Sequence, residues 1–270
     1  MEPDFEWRRQ GSTMNILFLW KSFSGALDEK DIEARVTRSL TASLPELFLK
    51  GDRKVFVSRD VRLFALILSS EGYLVEDSDE SLSWASGNIG SDQQSFKSKI
   101  LYALQRKNLD AIAESEGVFA CSGIRLSDAT GFVYTTITRL EPVFYTTIGT
   151  SLIVCNRLLP LAFCRYGTSP EFDPIGIAQF INHGYYLGER TPFADIRCLE
   201  PDSALELVAD DFRIRRLSGT CGIQRFSLSS RRAREISEIL VSSAAAMRDR
   251  SINLGLTGGK DSRLMAAILS

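Results

Sequence analysis

Residues 251–264 read Ser-Ile-Asn-Leu-Gly-Leu-Thr-Gly-Gly-Lys-Asp-Ser-Arg-Leu. Ser251 to Leu256 is a short apolar run of the kind that makes a buried strand. Thr257-Gly258-Gly259 is a turn, and Ser262 to Leu269 opens a helix. A glycine-rich loop between a strand and a helix lets backbone N–H groups approach phosphate oxygens, and the helix N-terminus adds a dipole that favours an anion. Thr257 and Ser262 supply hydroxyl donors. Asp261 is itself an anion, and it makes sense beside phosphates when it holds a magnesium ion that bridges to them. Two standard nucleotide fingerprints are absent. Gly259-Lys260 is followed by Asp261 rather than Ser or Thr, and Leu254 stands where a P-loop has its first glycine. The spacing of Gly255, Gly258 and Gly259 is not G-x-G-x-x-G. A Gly-Gly turn before an Asp-Ser helix cap is the purely structural alternative.

Upstream, Ser229 or Ser230 can cap a helix running to about Asp249, with Ile236, Ile239, Leu240, Ser243 and Met247 on one face. Helix, strand, glycine loop and helix in that order are the opening of a parallel α/β domain. One strand and one short helix bury too little to complete such a domain, so residues 229–270 are expected to be its beginning.

The chain before it has another style. From Gly117, short runs rich in Val, Ile, Thr, Phe and Tyr alternate with turn formers: Phe119–Cys121, Gly131–Ile137, Val143–Thr147 and Ser151–Cys155. These predict an antiparallel meander. A helix from Asp173 to His183 has Asp173 as N-cap, Pro174 at its first position, Gly184 just past its end, and Ile177, Phe180 and Ile181 on one face. Ala204–Val208 and Phe212–Leu217 make a hairpin around Asp210-Asp211, a pair read as solvated turn residues rather than catalytic carboxylates. Nearer the start, Ile32, Val36 and Leu40 mark a helix, as do Phe96, Ile100, Leu101 and Leu104. Val55–Val57 and Leu63–Leu68 fit strand or helix, and Ser69–Ser98 reads as loop or a weakly ordered insertion.

Composition narrows the function class. The 270 residues are 44% hydrophobic and 24% charged, ordinary for globular protein. Lys plus Arg number 32 against 34 Asp plus Glu, a net charge of -2, which gives no support to nucleic-acid binding. Five cysteines without a C-x-x-C and a single histidine argue against a disulfide scaffold or a zinc site. The cysteines, Cys121 included, read as buried packing residues of a reduced, cytoplasmic protein. His183 reads as a helix C-terminal residue favoured by the dipole. Met14–Trp20 is too short to cross a membrane and is closed by Lys21, and Met-Glu-Pro-Asp is acidic where a secretory signal is basic. Met14 is a second candidate start.

Thr257-Gly258-Gly259-Lys260-Asp261-Ser262 resembles the S-G-G-x-D-S loop of the ATP pyrophosphatases, with Thr for the first Ser. Leu254–Leu264 resembles the version found in asparagine synthetase-like proteins. Ile175–Ser203 is similar to that family's stretch between its glutaminase-like and synthetase domains, with Gly184-Tyr185, Thr191-Pro192-Phe193, Ile196 and Leu199-x-Pro201 in matching places. Gly117-x-Phe119-Ala120 and Asn156-Arg157 fit the end of the glutaminase-like domain. The resemblance spans roughly Gly117 to Ser270. It implies an α/β chain in two parts: residues 1–228 as a glutaminase-like N-terminal-nucleophile (Ntn) domain of four αββα layers, and residues 229–270 as the start of a parallel-sheet ATP pyrophosphatase domain.

The implied activity is ATP-dependent amide formation of the asparagine synthetase type. A small-molecule or peptide carboxylate attacks the α-phosphate of ATP, pyrophosphate leaves with magnesium, and ammonia or an amine captures the acyl-adenylate. By the resemblance, the base lies near Leu256, and Thr257, Gly258, Gly259 and Ser262 hold the phosphates. Lys260, at the variable position, is counted with them, and Asp261 binds magnesium. ATP and magnesium are thus the expected cofactors, with no nucleic-acid or membrane partner.

The departures matter equally. The family's glutaminase uses a cysteine at the mature N-terminus, its free amine serving as base. Here Glu2 follows Met1, Asn15 follows Met14, and no cysteine precedes Cys121. The N-G-E signature is absent, and Ser86-Gly87-Asn88 does not replace it. The expectation is a glutaminase-type fold without glutaminase chemistry. Free ammonia, or a substrate's own amine as in the lasso-peptide cyclases and β-lactam synthetases, then supplies the nitrogen. Family synthetase domains continue well past this loop, so a missing C-terminal half or a homo-oligomer is the expected partner. A non-catalytic remnant serving as a binding scaffold is the rival reading.

Overall fold

The apolar run Met14–Trp20 becomes strand β1 (Ile16–Ser22), every residue of it buried, Lys21 included. In the computed structural model the described residues are 15–45, 51–69, 75–78, 80–90, 92–217, 229–245 and 260–269. After β1 come helix α1 (Glu29–Ser43) and strands β2 (Asp52–Val57), β3 (Leu63–Ser69), β4 (Val75–Ser78) and β5 (Ser81–Ile89). Helices α2 (Gln93–Arg106) and α3 (Asp110–Ala113) follow, then β6 (Gly117–Arg125), β7 (Thr130–Thr135), β8 (Phe144–Ile148) and β9 (Ser151–Cys155). Next are α4 (Leu158–Tyr166), α5 (Pro174–His183), β10 (Arg197–Cys198), β11 (Ser203–Leu207) and β12 (Phe212–Arg216), and last α6 (Ser230–Ala245) and α7 (Lys260–Leu269).

The strands form two antiparallel six-stranded sheets, β10-β8-β9-β1-β3-β2 and β12-β11-β7-β6-β5-β4. Alternation along the strands sorts the apolar side chains into three layers. Leu17 and Leu19 of β1, with Leu63, Ala65 and Ile67 of β3, meet Leu82, Trp84, Ala120, Ile124, Val133 and Leu205 of the other sheet. The opposite face of the first sheet, with Ile16, Phe18, Phe64 and Leu66, packs on Ile32, Val36 and Leu40 of α1 and Leu161 of α4. The outer face of the second, with Phe119, Cys121, Phe132 and Tyr134, packs on Phe96, Ile100 and Ala103 of α2. The order is therefore helix, sheet, sheet, helix, the four αββα layers that the resemblance implies for the glutaminase-like part.

Two sequence expectations change here, and one open alternative is decided. The meander predicted from Gly117 is divided: β6 and β7 pair in the second sheet, whereas β8 and β9 pair in the first. Ser69–Ser98 is not all loop, because β5 pairs along its whole length with β6 and puts Leu82 and Trp84 in the inter-sheet core. Its serines and glycine hide the strand, which buries Ser83 and Ser86 together with Leu82, Trp84 and Ala85. Val55–Val57 and Leu63–Leu68 are both strand. β3 reads as an unbroken apolar run because both of its faces are covered, one by the other sheet and one by helices.

The chain divides into two compact units, Met1–Gly219 and Thr220–Ser270. The described part of the second unit is α6 and α7. The strand expected at Ser251–Leu256 lies outside the described residues, so the parallel sheet expected there stays an expectation. No helix of the described residues is long and apolar enough to cross a membrane.

Candidate functional site

Two places carry the sequence-derived site. The first is the glycine loop. Leu256, Thr257, Gly258 and Gly259 lie outside the described residues. Lys260, Asp261 and Ser262 form the first turn of α7, a helix of ten residues. The helix therefore begins directly after Gly259, two residues ahead of the start predicted at Ser262. The first N–H groups of a helix have no partner within it, and Lys260–Ser262 occupy that first turn.

The second place is the head of β1, directly after Met14, the second candidate start. Asn15 stands there, fully buried. Its Nδ2 donates to Ala85 O of β5 at 3.2 Å. Its backbone oxygen accepts from Asn156 Nδ2 at 2.7 Å, and Asn156 Oδ1 accepts from Leu17 N at 2.9 Å. Asn156, just past β9, thus clamps the start of β1 with both ends of its amide. Asn15 Oδ1 is buried with no hydrogen-bond partner among the described residues.

A polar cluster stands beside this clamp. Glu141 Oε2 accepts from Ser86 Oγ at 3.0 Å and lies 3.7 Å from Arg157 Nη1. Thr135 Oγ1 donates to Glu141 O at 2.8 Å, and Arg157 Nη1 donates to Asn156 O at 2.9 Å. Gly87 allows the approach. Its φ is +108°, and a Cβ there would collide with the Val118 carbonyl and crowd Glu141 Cγ. The structure therefore brings together Asn15, Ser86-Gly87, Glu141 and Asn156-Arg157, which lie far apart in sequence. Glu141 carried no sequence signal, since its single carboxylate stands in a loop; only the strand pairing brings it to Ser86.

These groups are amides, a hydroxyl, a carboxylate and a guanidinium. They can hold a polar ligand by hydrogen bonds and charge. Thiol chemistry has no support from the cysteines around them. Cys121 pairs across from Ala85 but faces the α2 layer, and Cys155 pairs across from Phe18 but faces the α1 and α4 layer. Burial pushes the Cys155 and Cys164 thiols up to about 12 and Cys198 to about 11, and it raises Cys121 as well. A thiol so raised stays protonated and un-nucleophilic near neutral pH.

The remaining candidates fall where the sequence put them. Asp210 and Asp211 form the β11–β12 hairpin tip, where Asp210 is exposed and pairs with Arg62 at 3.1 Å. His183 is the last residue of α5, exposed, with its ring 5.9 Å from that of Tyr185.

No protein-family model matches the sequence, and no curated protein matches it. Among solved structures, the chain is similar to a glutamine phosphoribosylpyrophosphate (PRPP) amidotransferase from B. subtilis complexed with ADP and GMP. The identity is 12%, 77% of this chain is covered, and the TM-score is 0.45. It is similar with the same values to a structure described as the allosteric regulatory enzyme of purine biosynthesis. The chain spans 50% of the length of each.

Proposed function

We propose that the chain belongs to an ATP-dependent amide-forming ligase of the asparagine synthetase type, in which the four-layer unit has lost glutaminase chemistry. The observation that carries this reading is the start of α7 at Lys260, the residue that follows Thr257-Gly258-Gly259 in the sequence. The order along the chain supports it too, with a four-layer αββα unit preceding the loop. In this reading Thr257, Gly258, Gly259, Lys260 and Ser262 hold the phosphates of ATP and Leu256 lies by the base. Asp261 holds the magnesium ion, which supplies charge neutralisation at the leaving pyrophosphate. Asn15 at the head of β1 offers an amide where a nucleophile would be needed. That favours ammonia or a substrate amine over glutamine as the nitrogen source, and with it the variant reading of a macrolactam- or β-lactam-type cyclase.

Calorimetric titration of the 270-residue chain with ATP and magnesium tests the reading. Saturable binding is expected, weakened at least tenfold by Asp261→Ala. A chain that is folded by circular dichroism yet shows no heat of binding overturns it.

A further inference from the structure

A cavity of about 310 Å³ opens on the outer face of the second sheet, between the C-terminal end of α2 and strands β7 and β11. It lies within the first unit and contains none of the residues of the glycine loop or of the Asn15 cluster. Its size is at the low end of the range for small-molecule sites, about 300–1,000 Å³.

The walls are apolar: Ala103, Leu104 and Leu109 on one side, Phe132 and Val208 on the other. Three cations, Lys107, Arg125 and Arg213, line it against two carboxylates, Asp128 and Glu206. Both carboxylates are already engaged. Asp128 accepts from Arg125 Nη1 at 3.1 Å and from Thr130 Oγ1 at 2.7 Å. Glu206, nearly buried, is shared by Arg213 and, at 2.8 Å, by Arg215. Arg125 also donates to Leu104 O at 3.1 Å, so its guanidinium is fixed across the floor. Lys107 ends α2 in a left-handed conformation, φ 54°, and is exposed with no hydrogen bond or ion pair among the described residues. The pocket thus combines an apolar body, satisfied carboxylates and an unneutralised cation at its rim. Such a site repels a cation and leaves a neutral apolar ligand without a partner for Lys107.

We propose that this cavity binds a small amphipathic monoanion, an aliphatic carboxylate whose chain lies among Ala103, Leu104, Leu109 and Phe132 and whose head group pairs with Lys107. The site is separate from ATP-dependent ligation, and its failure leaves that reading untouched.

Calorimetry of the full chain with octanoate is the test, with octylammonium and 1-octanol as probes of the same length. Octanoate should bind saturably and at least tenfold more tightly than either. Lys107→Glu should lower its affinity at least tenfold with only a small drop in melting temperature, because that side chain is exposed and unpaired and the α2 dipole alone loses a favourable charge. Ala209→Trp, at an exposed position on the rim, should weaken all three ligands together. Binding of octylammonium equal to octanoate, no octanoate binding by the folded chain, or unchanged affinity in Lys107→Glu would each overturn the proposal.

Discussion

Lys21 is a charged residue in the middle of an apolar sandwich. It is 1% exposed, and its Nζ donates to Ala129 O at 2.5 Å. Ala129 belongs to the β6–β7 turn of the opposite sheet, so the bond ties the two sheets at one end. Two further ties stand at the same end, Arg62 to Asp210 and Arg59 N to Leu126 O. Burial lowers the Lys21 pKa from 10.5, and the neighbouring Asp60 and Asp128 oppose that only in part. The unfolded chain then holds a proton that the folded chain lacks between the lowered value and 10.5. The Lys21 contribution to stability therefore rises with pH across that window, since for this group the unfolded chain binds more protons. The buried thiols pull whole-protein stability the other way in the same range, so the Lys21 term is read as a difference: in urea denaturation at pH 7 and pH 10, the stability of wild type relative to Lys21→Met should rise with pH. At pH 7 the variant should lose up to about 3 kcal/mol, the value of a hydrogen bond from a charged group. A difference between the two proteins that stays constant with pH would refute the account.

Elements were legible where their ends carry chemistry. Helix α5 has the expected caps: Asp173 accepts from Ile175 N at 3.0 Å, Pro174 begins it, and Gly184 ends it at φ 77°. Asp173 also takes the Arg190 guanidinium at 2.6 Å. Burial would raise that carboxyl, but the hydrogen bonds from Arg190, Gly176 and Ile175 outweigh it and hold the pKa below 3.8. The stabilisation is thus complete above 3.8 and is lost as pH falls through the lower folded value. Asp173→Ala should cost about 1–2 kcal/mol at pH 7 as a lost cap. In thermal melts the gap from wild type should close toward pH 2, and an unchanged gap would refute the account. The helix's apolar face was legible too, but not its fate: Phe180 and Ile181 are 50% and 75% exposed. Periodicity shows that a face exists, whereas only tertiary structure shows whether anything covers it. Strand β5 failed the opposite way, because Ser81, Ser83, Ser86 and Gly87 look like loop until β6 is placed beside them. The Glu141–Ser86–Arg157 cluster was illegible for the same reason, being made by pairing rather than by spacing.

At the scale of the molecule, the described residues that form the three apolar layers of the four-layer unit all precede Gly219. A chain ending at Gly219 should fold by itself and melt in one cooperative step, as single domains with a closed core do. Near-ultraviolet circular dichroism is the check, and loss of the aromatic signal would mean that residues 220–270 are needed for the core. Both sheets also end in charged strands: β2 carries Asp52, Arg53 and Lys54, and β12 carries Arg213, Arg215 and Arg216. Charge on an edge strand discourages pairing with a second chain.

The position of β1 between β3 and β9 has a consequence for synthesis. One hydrogen-bonding edge of β1 is satisfied once Leu63–Ser69 has left the ribosome. The other waits for Ser151–Cys155. At a synthesis rate of about 5–20 residues per second, the interval from Ser69 to Cys155 is on the order of ten seconds. Through that time the nascent chain carries one of its most apolar strands, Ile-Leu-Phe-Leu-Trp, with one edge open, which is when a ribosome-bound chaperone would find it.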